Sequence, residues 1–184
     1  LLLTALGSIV LGMGLPTTAA YVVLAALGAP ALTELGVPLL AAHLFIFYFG
    51  CLSNVTPPVA LAAYAAAGLA GSSPLRTGVT ALGLAIGGFV VPFAFIYDPF
   101  LLLSGPVLGI IATALTAAIG VTSLAAGIAG YIGRPVPPLG RAILVAAGIA
   151  LLAPGWISDG LGIAIFGAAL WLWREPVELA ENAA

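Results

Sequence analysis

The sequence predicts an all-α polytopic membrane protein, and three observations carry that prediction. Of 184 residues, 63% are hydrophobic and 5% are charged, where a soluble domain would carry about 25% charged residues. Mean hydropathy is +1.29. Several apolar runs approach or exceed the roughly 20 residues that a helix needs to cross a bilayer. Four Lys+Arg and six Asp+Glu cannot cover a surface in water, whereas lipid accepts the Leu, Ala, Val and Ile that fill the chain.

The elements follow in order. Residues 1–13 and 17–32 are short apolar segments on either side of Gly12-Met13-Gly14-Leu15-Pro16-Thr17-Thr18. Two glycines free the backbone there, and Pro16 is suited to open a new helix, so the pair reads as a re-entrant helical hairpin with its tip at mid-membrane. Residues 38–71 are long enough to cross, but Ser53-Asn54-Val55-Thr56-Pro57-Pro58 interrupts them with two residues that lack a backbone donor. A broken transmembrane helix is expected. Residues 78–97 follow, with Pro92 as a kink, then 106–132, 139–153 and 161–173, about four further transmembrane helices in all. The last two, joined by a turn from Pro154 to Gly160, read as an antiparallel pair. Residues 1–104, with the hairpin and the broken helix, are therefore set apart from the C-terminal helices 105–174 and the polar tail 175–184.

With these spans Arg76, Arg134, Arg141 and Arg174 fall on one face, which the positive-inside rule makes cytoplasmic. Glu34, Asp98 and Asp159 then lie outside, and the C-terminal tail inside. Trp156, Trp171 and Trp173 sit near span ends as interfacial anchors. Gly83/Gly87 and Gly105/Gly109 have the four-residue spacing that lets helices approach closely. Between Arg141 and Asp159, and again between Asp159 and Arg174, no ionisable residue occurs, so the last helices read as scaffold or lipid-facing.

Composition excludes other classes. A formal net charge of −2 without a basic run offers no footprint for nucleic acid, and one cysteine cannot form an internal disulfide. No basic region precedes the apolar residues 1–10, so they read as structure rather than as a signal peptide. Opening inside an apolar run and closing on a polar tail, the chain reads as the C-terminal piece of a longer one.

Chemistry concentrates at the two breaks. Non-helical backbone is tolerated at membrane depth only where protein buries it or it lines a wet cavity. Carbonyls around Gly12, Gly14 and Asn54, with the side chains of Thr17, Thr18, Ser53, Asn54 and Thr56, are hard-oxygen ligands of the kind sodium accepts. Helices restarting at Pro16 and Pro57 would aim their positive ends at an anion such as a carboxylate, placing Pro16, Thr17, Asn54, Thr56, Pro57 and Pro58 around a substrate. The plainer alternative is that the glycines only make a loop while Thr17 and Thr56 cap the restarting helices. His43 is either a proton carrier or a hydrogen-bonded packing residue, and Cys51 a small apolar filler. Phe45, Phe47, Tyr48 and Phe49 form an aromatic cluster that reads first as packing. There is no Ser/His/Asp set, paired intramembrane carboxylate or Gly-rich phosphate loop, so neither an enzyme nor an ATP-driven pump is indicated, and no catalytic residue, cofactor or metal other than sodium is assigned.

The stretch Leu11-Gly-Met-Gly-Leu-Pro-Thr-Thr-Ala-Ala-Tyr21, then Ala42-His-Leu-Phe-Ile-Phe-Tyr-Phe49, Thr56-Pro-Pro-Val-Ala-Leu-Ala-Ala-Tyr64, Val91-Pro-Phe93 and Asp98-Pro-Phe-Leu-Leu102 resembles the large membrane subunit (DctM-like) of tripartite ATP-independent periplasmic (TRAP) transporters, most closely the fused permeases of the TAXI subgroup. The resemblance runs from about Leu1 to Leu103. It implies a sodium symporter of the bacterial inner membrane that imports small carboxylates delivered by a periplasmic binding protein. It also implies a small membrane subunit fused upstream, two inverted repeats of which this piece is the second, and an elevator-like core. By that similarity the Gly12–Thr18 tip and the Ser53–Pro58 break line one sodium site and half of the substrate site. Where family members commonly carry glycine after the two prolines and a valine, this chain has Ala60. A proton-coupled carboxylate carrier without a binding protein, and a non-transporting scaffold subunit, are the alternatives.

Overall fold

The computed structural model describes residues 1–172, and every named element among them is helical. In order these are α1 (Leu2–Gly12), α2 (Thr17–Glu34), α3 (Leu39–Leu52), a 3-10 turn (Ser53–Val55), α4 (Leu61–Ala70), α5 (Pro74–Tyr97), a second 3-10 turn (Pro99–Leu102), α6 (Val107–Ala129), α7 (Pro138–Leu152) and α8 (Trp156–Leu172). Three of them, α2, α5 and α6, are long and apolar enough to cross a membrane. The all-α expectation holds. Trp173, Arg174 and the tail 175–184 lie outside the described residues.

Boundaries shift where local chemistry outweighs the hydrophobic run. α5 begins at Pro74 rather than at residue 78, because a proline at the first helical position gives up no hydrogen bond. It then continues through the buried Pro92. α8 begins at Trp156 rather than at 161: Ser158 Oγ donates to the carbonyls of Ala153 and Gly155, and Asp159 falls in the first turn, where the helix dipole favours a carboxylate. The expected turn to Gly160 is thus only Ala153 to Gly155.

The helices pack as two neighbouring sets. In the first, the hairpin α1–α2 lies on α3 and α5 around Leu24, Leu32, Phe45, Ile46, Phe49 and Phe95, all buried. Helical periodicity splits the aromatic run. Phe45 and Phe49 turn inward, 4.8 Å apart and 5.3 and 5.6 Å from Phe93, while Phe47 stays partly exposed beside Tyr21 at 5.6 Å. Each such edge-on pair adds about 0.5–1.5 kcal/mol beyond simple contact.

In the second set α6, α7 and α8 meet at small residues. A Cβ on Gly148 would lie 2.6 Å from Leu124 Cγ and 2.7 Å from the Gly120 carbonyl oxygen, and one on Gly127 would lie 2.8 Å from that of Arg141. Ser123 Oγ donates to the Leu144 carbonyl at 2.7 Å, and Arg141 donates to the carbonyls of Gly127 and Ile128 at the end of α6. This revises the expectation for Gly83/Gly87 and Gly105/Gly109. Gly87 does meet Val121 of α6, but Gly83 meets nothing within 4 Å, and Gly105 and Gly109 face the ring of Phe100. Spacing alone does not say which glycines face a partner.

Candidate functional site

The end of α1 is pressed directly onto the start of the break. A Cβ on Gly12 would sit 2.9 Å from Ser53 Oγ, 3.0 Å from the Gly50 carbonyl oxygen and 3.2 Å from Gly50 Cα. Gly50 is equally tight on its other side, where Leu24 Cδ1 would lie 2.9 Å from an added Cβ. Hairpin tip and broken helix, 40 residues apart in sequence, therefore meet backbone to backbone, and Ser53 is sealed between them at 1% exposure.

At the break the side chains turn back onto the end of α3. Ser53 Oγ donates to the Gly50 carbonyl at 2.6 Å, Asn54 Nδ2 to that of Cys51 at 3.3 Å, and Thr56 Oγ1 to that of Leu52 at 2.7 Å. Three carbonyls that end a helix without successors are thereby satisfied in part. The hydroxyl oxygens of Ser53 and Thr56 keep their own lone pairs, so the cluster remains oxygen-rich toward a cation. The geometry offers hard ligands.

The restart differs from expectation. Pro57 does not open the next helix: Pro57–Pro58 is a cis peptide, the chain passes through Ala60 at φ 33°, ψ 50°, and α4 begins at Leu61. Tyr64 donates its hydroxyl to the Pro58 carbonyl at 2.8 Å, and Pro57 Cγ would lie 3.4 Å from a Cβ on Gly78 of α5. Ala60 is fully buried in a left-handed conformation that suits glycine, the residue the resemblance leads one to expect there. This position bends the chain; its place in the sequence gave no sign of it beyond the neighbouring prolines.

At the hairpin tip, Gly14 has φ 79° and open space around it, and Pro16 is the N-cap of α2. Thr17 occupies the first helical position, and no side chain caps the helix, so the capping role considered for Thr17 is not the one found. Thr56 likewise closes α3 instead of capping α4. Pro16, Thr17 and Thr18 are exposed, which leaves the first amides of α2 open toward an anion. Gly12 and Ser53 are thus brought together, while Gly14 has open space around it and Thr17, Thr18 and Pro58 are exposed.

One pairing escaped the sequence. Tyr21, one turn beyond Thr17, places its hydroxyl 3.0 Å from His43 Nδ1 of α3. Separated by 22 positions, the two residues share no motif; only α2 and α3 packing side by side reveals them. Cys51 is a free, half-buried thiol, as expected of a filler. No group of three His, Cys, Asp or Glu side chains that could hold a metal ion occurs among the described residues.

A hairpin tip seated on a broken helix, inside a strongly apolar all-α chain, defines a polytopic membrane protein of the transporter class. The family model of the tripartite ATP-independent periplasmic transporter, DctM component, matches residues 1–107, more than half of the chain, and the chain belongs to that family. It is accordingly a transport permease component rather than an enzyme, with a membrane setting and a periplasmic binding protein as partner. No curated protein and no solved structure matches it.

Proposed function

We propose that this chain is the second-repeat part of a sodium-coupled TRAP-type permease of the TAXI subgroup, importing small carboxylates through the bacterial inner membrane by elevator-like alternating access. Its C-terminus is cytoplasmic, and a small membrane subunit is fused upstream. The contact of Gly12 with Ser53 and Gly50 carries the reading, because it seats the end of the hairpin's first helix on the oxygen cluster of the break. Sodium takes oxygens from the Gly12, Gly14, Thr17, Thr18, Ser53, Asn54 and Thr56 region. The substrate carboxylate lies at the start of α2, by Pro16 and Thr17, with Asn54, Thr56, Pro57 and Pro58 completing its half-site. Held close together, the cation and the carboxylate offset each other's charge at a depth where either alone would be costly.

Reconstitution of the full permease with its binding protein tests this. Uptake of a panel of labelled mono- and dicarboxylates should follow an inward sodium gradient and stop when sodium is replaced by potassium. Uptake that ignores sodium and follows a pH gradient would replace the coupling with a proton-driven one. A complete absence of uptake, together with Thr17→Cys and Asn54→Cys variants that resist aqueous thiol reagents, would instead favour a scaffold.

A further inference from the structure

We propose that His43, held by Tyr21, is an anion-recognition point on the wall of the substrate path, taking a carboxylate oxygen through its Nε2–H. The Tyr21 hydroxyl has one proton and one partner, His43 Nδ1 at 3.0 Å. A hydroxyl that donates to Nδ1 fixes the ring proton on Nε2, turning that nitrogen outward as a donor. Nε2 has no hydrogen-bond partner among the described residues and is not buried. A polar nitrogen facing hydrocarbon is disfavoured, so this side of α3 faces water or substrate rather than lipid.

The surroundings agree. Phe47, Cys51 and Asn54 follow His43 at helical spacing and none of them is buried, while Thr17 precedes Tyr21 by one turn on α2. Together they form one strip from the break to His43, about 16 Å long at a rise of about 1.5 Å per residue. Tyr21 sets its ring edge-on to both His43 and Phe47, with interplanar angles of 62° and 89°, which holds the imidazole in place. Tyr21 is a positioning residue; His43 is the ligand. The inference rests on the carboxylate-permease reading and adds a recognition point away from the junction.

The test uses the full permease in proteoliposomes with its binding protein, and reads carbethoxylation of His43 by peptide mass alongside uptake. The probes are acetate, pyruvate, succinate and glutarate, with chloride as the ionic-strength control. His43 is expected to react, and at least one carboxylate should slow the reaction about fivefold while chloride does not. Tyr21→Phe should leave His43 reactive but lose that protection. In uptake, His43→Phe should raise KM about tenfold with kcat changed less than about threefold, and His43→Gln, which keeps a donor near the Nε2 position, should restore KM. An unreactive His43, protection by none of the probes, or equal losses in the Gln and Phe variants overturns the proposal. Uptake with an unprotected His43 refutes this inference alone, whereas a protected His43 in a permease that moves no carboxylate refutes the transport reading alone.

Discussion

Thr56 shows how one hydroxyl at the break serves two ends. Its proton goes to the Leu52 carbonyl, which closes α3, and its oxygen stays available to a cation. Thr56→Val keeps the shape and removes both, so about 0.5–1.5 kcal/mol of folding stability should be lost while the sodium concentration for half-maximal uptake rises roughly tenfold. Sodium titration of uptake at matched protein amounts checks it; an unchanged sodium response removes Thr56 from the site. Gly12 is set by space instead. With Gly50 backbone at 3.0 and 3.2 Å from any Cβ, Gly12→Ala should cost about 1–3 kcal/mol, and adding Ser53→Ala should recover only part, because the backbone cannot retreat. Thermal unfolding in detergent, followed by the monodisperse fraction, reads both variants. The need for small and hydroxyl-bearing residues at these points was legible in the sequence. The Tyr21–His43 pair and the bend at Ala60 were not, since both depend on what packs alongside.

At the scale of elements, most of the helices were legible and their ends less so. Hydrophobic runs locate a helix, but Pro74, Ser158 and the left-handed turn at Ala60 decide where it starts, and the last of these puts the start of α4 at Leu61. The same limit applies to helix contacts. Gly83 and Gly148 look alike in sequence, yet one faces open space and the other lies against Leu124 and the Gly120 carbonyl. In lipid, where helices gain little from hiding apolar surface, such close approach is a main source of association. Gly148→Ala should therefore destabilise the α6–α7 pair by about 1–3 kcal/mol, with Gly83→Ala neutral or slightly stabilising because alanine is the better helix former. Equal melting of the two variants would show that the α6–α7 contact is not what holds this set together.

For the whole molecule, the antiparallel run of α5, α6 and α7 brings Arg76, Arg134 and Arg141 to one end and Asp98 to the other, as the charge pattern implied. Depth was not legible, because it is set by register between helices. α7 has 15 residues, about 22 Å, against a hydrocarbon core of about 30 Å. Leu151 and Leu152 lie against Gly120 of α6, and Asp159 lies near enough to Asp98 for the two carboxylates to repel each other. The start of α8, with Asp159, thus sits at the Asp98 end of the helices, opposite Arg76 and Arg141. In a Cys51→Ser background, Ser104→Cys should react with a membrane-impermeant maleimide from one side of the membrane and Ser73→Cys only from the other. Ile157→Cys, exposed in the first turn of α8 at the Asp98 end, should react from the same side as Ser104→Cys. If Ile157→Cys reacts from neither side while Ser104→Cys reacts, the turn stops inside the membrane, and α7 and α8 do not cross with the rest.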